Sequence, residues 1–176
     1  MAKLDIITAP DPRLKITAEP VVVDDEVRQL MDDMLETMYI APGIGLAAPQ
    51  VGVAQRVLVL DVAPRDQARD PLLVANPEIL WTSEETKVEE EGCLSLPDHY
   101  ADVERPAKVR VRFRDYDNEI REIGAEGTLA TCLQHEIDHL DGALFIDYLS
   151  LLRRNIILRK LKKAKKAEAA PIPARP

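Results

Sequence analysis

The stretch that decides the reading is Thr128-Leu129-Ala130-Thr131-Cys132-Leu133-Gln134-His135-Glu136-Ile137-Asp138-His139-Leu140-Asp141-Gly142. Its pattern predicts a helix over about 128–140, ended by Asp141-Gly142 in the manner of a glycine cap. Histidines at i and i+4 share one helical face, a turn apart, so the imidazoles of His135 and His139 can converge on one ion. Glu136 projects beside that ion, where a carboxylate can take a proton from bound water. The chain has only three histidines, and two of them flank this Glu at the ligand spacing. A metal-dependent hydrolase is the expectation.

A catalytic metal needs a third protein ligand and one open position. Downstream of His139 there is no further His, and Phe145 stands where a metzincin would carry one. The third ligand is therefore sought upstream, among Cys93, His99 and Cys132. Cys132 lies seven residues before His139, about 10.5 Å along the helix axis, too far for ligand bonds of about 2.1–2.3 Å to one ion. It reads as a small buried residue on a pocket wall. His99 follows Pro97 in a polar turn and reads as surface. Cys93 stands in Glu91-Gly92-Cys93-Leu94-Ser95-Leu96-Pro97, where Gly92 permits close backbone approach and Pro97 ends the segment. A thiolate there would complete a His₂Cys site.

Outward from this helix, apolar residues at Val27, Leu30, Met31, Met34, Leu35 and Met38 predict an N-terminal helix over about 25–39, capped by Asp24 or Asp25 and stopped at Pro42-Gly43. The methionine stripe reads as core packing. Strands are expected at 56–62, at 72–74 and 79–81 around a turn at Asn76-Pro77, and at 108–113 pairing back with 119–123. A third helix begins near Ser150, dissolves into Lys/Ala sequence, and ends in a frayed, proline-rich tail over 170–176. The order predicts an α+β fold, with antiparallel β-sheets packed around a central metal-binding helix and a helix at each end of the chain.

At 176 residues, 46% hydrophobic and 31% charged, the chain reads as globular and long enough for a real core. With aromatics at 4%, that core must be aliphatic. No apolar run approaches the roughly 20 residues of a membrane span. No signal or transit pattern opens the sequence, so a cytoplasmic location is expected. Two cysteines in such a chain do not suggest a disulfide framework. The net charge of −8 is uneven: from Leu151 onward there are nine Lys/Arg against one acid, Glu168, while residues 1–150 hold 30 acids and 14 Lys/Arg. A basic tail on an acidic body suits a polyanionic partner; a solvated helix end is the plainer alternative.

Three segments together, Gly43-Ile44-Gly45-Leu46-Ala47-Ala48-Pro49-Gln50, Glu91-Gly92-Cys93-Leu94-Ser95 and Gln134-His135-Glu136-Ile137-Asp138-His139, resemble the three signature motifs of peptide deformylases, in the family's order and with similar spacing. The resemblance spans about Leu4 to Leu161. It implies removal of the N-formyl group from the initiator methionine of nascent polypeptides. The implied ligands are Cys93, His135 and His139, holding one divalent ion; Fe(II) serves many members, and Zn, Ni or Co are also found. It further implies Glu136 as acid/base, with the Gln50 side chain and the Leu94 backbone N–H supporting the oxyanion. Gly43, Ile44, Gly45, Glu91, Gly92 and Cys132 are expected around the substrate, with Arg105 pairing with Glu91 to brace the cysteine strand. Where some members carry an Arg after Pro97, this chain has Tyr100, so a charge contact from that position is not expected. Residues 1–149 are expected to form the catalytic domain. Residues 150–176 are expected to form a basic C-terminal helix and frayed tail, in which Arg153–Lys166 resembles the helix that docks on the ribosome near the exit tunnel, with no membrane or DNA partner. Truncation after Ser150 is expected to spare turnover on short peptides. The competing readings are another HExxH hydrolase, such as a peptidase on free N-termini, and a non-enzymatic ribosome-associated metal protein.

Overall fold

The computed structural model describes residues 2–170. Helix α1 spans Asp25–Ile40, and the Asp24 carboxylate caps it by accepting the Val27 N–H at 3.0 Å. Strands β1 (Gly45–Ala47), β2 (Val57–Leu60) and β3 (Leu72–Thr82) follow, then β4 (Thr86–Cys93), β5 (Leu96–Pro106), β6 (Lys108–Arg114) and β7 (Ile120–Glu126). Helices α2 (Gly127–Leu140) and α3 (Leu151–Glu168) close the chain. The strands form two antiparallel sheets, one of five strands in the order β1-β2-β3-β6-β7 and a β4–β5 hairpin. This is the α+β arrangement expected from the sequence.

The all-apolar β2 run is buried on both faces because a helix covers each one. Val57 and Val59 pack with Met31, Met34 and Met38 of α1, while Leu58 and Leu60 pack with Leu133, Ile137 and Leu140 of α2. The period of two thus assigns alternate residues of one strand to two cores. A third core joins α3 to the hairpin, with Ile157 and Leu161 against Leu96, Val103 and Phe145. Residue 150 marks the start of α3, whose N-cap Ser150 accepts the Arg153 N–H.

Several local expectations are corrected. Residues 72–82 form one strand, not two around a turn. Asn76 takes φ +49° in a bulge, and its amide bridges to the Val21 backbone at 2.9 and 2.7 Å, so the strand bends without ending. Pro97 and His99 lie inside β5, where His99 is half-buried, so neither the strand end nor the polar turn expected there is found. Helix α3 runs on to Glu168 through the Lys/Ala sequence. Of the tail expected to fray, residues 171–176 lie outside the described residues.

Candidate active site

Helix α2 carries His135 and His139 on one face, with the two Nε2 atoms 3.3 Å apart. Cys93 enters from the end of β4, its Sγ 3.3 Å from His139 Nε2. The three ligand atoms lie within 4.8 Å of one another. The Glu91 carboxylate holds His135 from behind, Oε1 accepting at 2.8 Å from Nδ1. That contact places the proton on Nδ1 and turns the Nε2 lone pair toward Cys93 and His139. Two imidazoles and a thiolate suit a borderline divalent metal and leave a position open, so the residues fit the ion.

Glu136 is buried, and its Oε2 has no hydrogen-bond partner. Burial pushes its carboxyl up to about 7. Gly45 makes room for it: a Cβ there would overlap the carboxylate, lying 2.8 Å from Cδ and 2.9 Å from Cys132 Sγ. The glycine is thus demanded by close approach. Cys132 turns its thiol to the Ile44 carbonyl at 3.6 Å and is not among the converging ligand atoms. Burial, with the charge of Glu136, pushes that thiol well above its ordinary value.

The short turn Ala48–Val51 delivers Gln50, which is fully buried. Its Oε1 accepts the Ala47 N–H at 2.9 Å, which commits the amide oxygen and turns Nε2 toward Cys93 Sγ at 3.5 Å and Ser95 Oγ at 3.1 Å. A cleft of about 440 Å³ opens over these groups, lined by Gly43, Ile44, Gly45, Gln50, Gly92, Cys93, Leu94, Tyr100, His135 and Glu136 among others. Cys132 and Glu91 lie instead on a smaller adjoining cavity of about 140 Å³, which shares Ile44, Gly92, His135 and Glu136 with the cleft.

Glu91 belongs chiefly to a buried ionic network rather than to the cleft. Arg105 grips it with two bonds, Nε to Oε2 at 2.6 Å and Nη2 to Oε1 at 2.9 Å, both side chains being 4% exposed. Arg105 Nη1 reaches Asp138 Oδ2 at 2.8 Å, and Tyr148 donates to the same oxygen at 2.8 Å while its ring lies under the guanidinium. Burial alone would raise the Glu91 carboxyl, but the bonds from His135 and Arg105 outweigh it and hold the value below the ordinary one. The pairing expected of Glu91 and Arg105 is therefore present, at the back of a putting-in-place contact to His135. Sequence reasoning missed Ser95, Asp138 and Tyr148. Asp138 lies inside the quoted motif, three residues after His135, where it flanks the ligand face and meets Arg105, but nothing local announces Ser95 or Tyr148 as partners.

The sequence profile of the polypeptide deformylase family matches residues 3–155. The chain is 62% identical over 168 residues to a peptide deformylase of Methylocella silvestris, covering 93% of this chain and 86% of that one. It is 55% identical to the peptide deformylase of Phenylobacterium zucineum, with 95% and 99% covered. The crystal structure of a peptide deformylase from Ehrlichia chaffeensis superposes with a TM-score of 0.91 at 41% identity, over 96% of this chain and all (100%) of the other. With fold, motifs and ligand geometry in agreement, the chain belongs to the polypeptide deformylase family.

Proposed function

We propose that Cys93, His135 and His139 hold one divalent metal ion, Fe(II) in the cell, and that at this centre the chain removes the N-formyl group of N-formylmethionyl nascent polypeptides, releasing formate. The observation that carries the reading is the convergence of one thiolate and two imidazoles within 4.8 Å beside the unpartnered Glu136 carboxylate. A bound ion would supply Lewis acidity and a water acidified toward a pKa of about 7.

The chain's own residues do the rest. Glu136 Oε2, buried and without a partner, accepts a proton from the attacking water and returns it to the methionine nitrogen as the C–N bond breaks. Gln50 Nε2 offers a donor at the ligand cysteine, its orientation fixed through Oε1, and with the Leu94 backbone N–H it supports the oxyanion. Glu91 and Arg105 position His135. Gly43, Ile44, Gly45 and Gly92 line the cleft that takes the peptide. Cys132 lines the adjoining cavity, which suits the methionine side chain.

Among the described residues no helix is long and apolar enough to cross a membrane; the nascent-chain substrate proposed from the family places the action in the cytoplasm. The lysines and arginines of α3 suit rRNA at the tunnel exit, and that contact should weaken steeply with salt. A formylated and an unformylated methionyl peptide, assayed side by side with the metal-loaded protein, test the function. Formate and one new amino terminus per turnover are expected from the first, and nothing from the second. Cleavage of peptide bonds in either substrate would overturn it.

A further inference from the structure

A second cavity, of about 340 Å³, lies beyond Pro42, Gly43 and Ile44 and shares these three residues with the active-site cleft. Two cations, Arg65 and Arg69, line it within a body whose net charge is strongly negative. Among the described residues neither arginine forms an ion pair. The one carboxylate on its wall, Asp61, is buried and already engaged. Its Oδ2 accepts the Tyr39 hydroxyl at 2.6 Å and the Asp70 N–H at 3.1 Å, and its Oδ1 accepts the Ala63 N–H at 3.0 Å. The Arg69 guanidinium lies over the Tyr39 ring, 3.9 Å from its centre. Stacking fixes its plane and uses its face, which leaves the N–H edges for a planar acceptor.

We propose that this cavity is a subsite for an acidic side chain of the substrate polypeptide, downstream of the formylmethionine. The inference rests on the deformylase reading and deepens it. The reacting end is fixed at Gly45, which abuts Glu136. Pro42 is three residues away, at most about 10 Å for an extended chain. A peptide leaving the centre along this wall therefore reaches the arginines with one of its second to fourth residues. There the guanidinium forks meet a carboxylate, the planar acceptor they match best. Both arginines are exposed, so the preference is modest, about three- to tenfold.

The test uses the metal-loaded full chain and formyl-Met-Ala-Ala-Ala peptides carrying Asp, Asn or Lys at each downstream position in turn. At one position Asp should exceed Lys in kcat/KM by about three- to tenfold, mainly through KM, with Asn between them. High salt should shrink the ratio. The Arg65→Gln/Arg69→Gln variant should bring it near one, Arg65→Glu alone should shrink it toward one, and Arg65→Glu/Arg69→Glu should invert it. If removing Arg69 from the Tyr39 ring lowers turnover of every peptide alike, the collapse of the ratio in Arg65→Glu, which keeps that stack, decides. A charge ratio that persists in these variants, or the absence of any position favouring Asp, overturns the subsite. So does a loss of ribosome co-sedimentation with an unaltered peptide ratio, which would make the patch an RNA contact. Failure to release formate from any peptide would defeat the deformylase reading itself, whereas charge-blind release defeats the subsite alone.

Discussion

Replacing Arg105 by Leu should destabilise the protein by about 3–5 kcal/mol, the usual cost of removing one partner from a buried ion pair. Arg105 and Glu91 are each 4% exposed and share two hydrogen bonds at 2.6 and 2.9 Å. Without the guanidinium, Glu91 keeps only His135 Nδ1 at 2.8 Å, and Asp138 keeps Tyr148. Two carboxylates then lose their common cation. For a chain of this size about 1 kcal/mol corresponds to roughly 2–4 °C, so the melting temperature should fall by about 10 °C. Because Glu91 orients His135, metal affinity should also drop, by about 10–100-fold. The penalty is that of an uncompensated charge, so the double variant Glu91→Gln/Arg105→Leu should recover part of the loss. Thermal melts and competitive metal titration, on the same preparations, measure both effects. An Arg105→Leu protein that melts within about 2 °C of the parent and keeps its metal affinity would refute the reasoning, since one unit cannot be both buried and dispensable.

Other outcomes follow from the same geometry. Gly45→Ala should fold yet lose about 10²-fold in turnover, because its Cβ would displace the Glu136 carboxylate; unchanged kcat would mean that the carboxylate has room to move. Gln50→Ala should lose about 10²–10³ in kcat as an oxyanion donor disappears, with KM as the control for simple loss of binding. Stripping the metal should lower the melting temperature, and titrating it back should raise it in step with free metal concentration; a melt indifferent to metal would argue against the Cys93, His135 and His139 site. Removing α3 after Ser150 should cost about 3–6 kcal/mol, from the lost burial of Ile157 and Leu161, visible as a lower denaturation midpoint. Neutralising exposed cations such as Lys162 and Lys163 is therefore the cleaner way to test ribosome co-sedimentation.

The metal helix was legible because its signal is local: i, i+4 histidines and an intervening Glu require nothing beyond helical geometry. The N-terminal helix was legible for the same reason, through its methionine stripe. What escaped is what depends on distant partners. The β4–β5 hairpin contains Thr86-Lys87-Val88-Glu89-Glu90-Glu91 and an internal Pro97, a composition with little strand character of its own. It becomes a sheet because the two segments pair in register and Ala101 and Val103 meet α3 and the Phe145 turn. Asparagine-proline usually marks a turn, which hides the bulge at Asn76; the Val21 contacts that keep the strand continuous lie 55 residues away. In the site, Cys93 could be sought by the need for a third ligand, and the glycine at 45 by its motif. That Glu91 backs His135 rather than facing the cleft follows from the hairpin's approach to α2, which no short segment encodes. The same holds for Ser95 on Gln50 and for the Asp138–Tyr148 closure of the arginine.

The most direct test of the central claim compares the parent with Glu136→Gln, both loaded with Fe(II) without oxygen, in one formate-release assay on a formylmethionyl peptide with metal content measured on the same samples. The amide keeps the size of the side chain but cannot take a proton from water. The account predicts full metal occupancy in both proteins, formate from the parent, and a turnover loss in the variant of about 10³-fold or more, from the middle of the 10²–10⁴ span in which positioned acid–base groups act upward. Near-parental formate release by a fully loaded Glu136→Gln protein would contradict it.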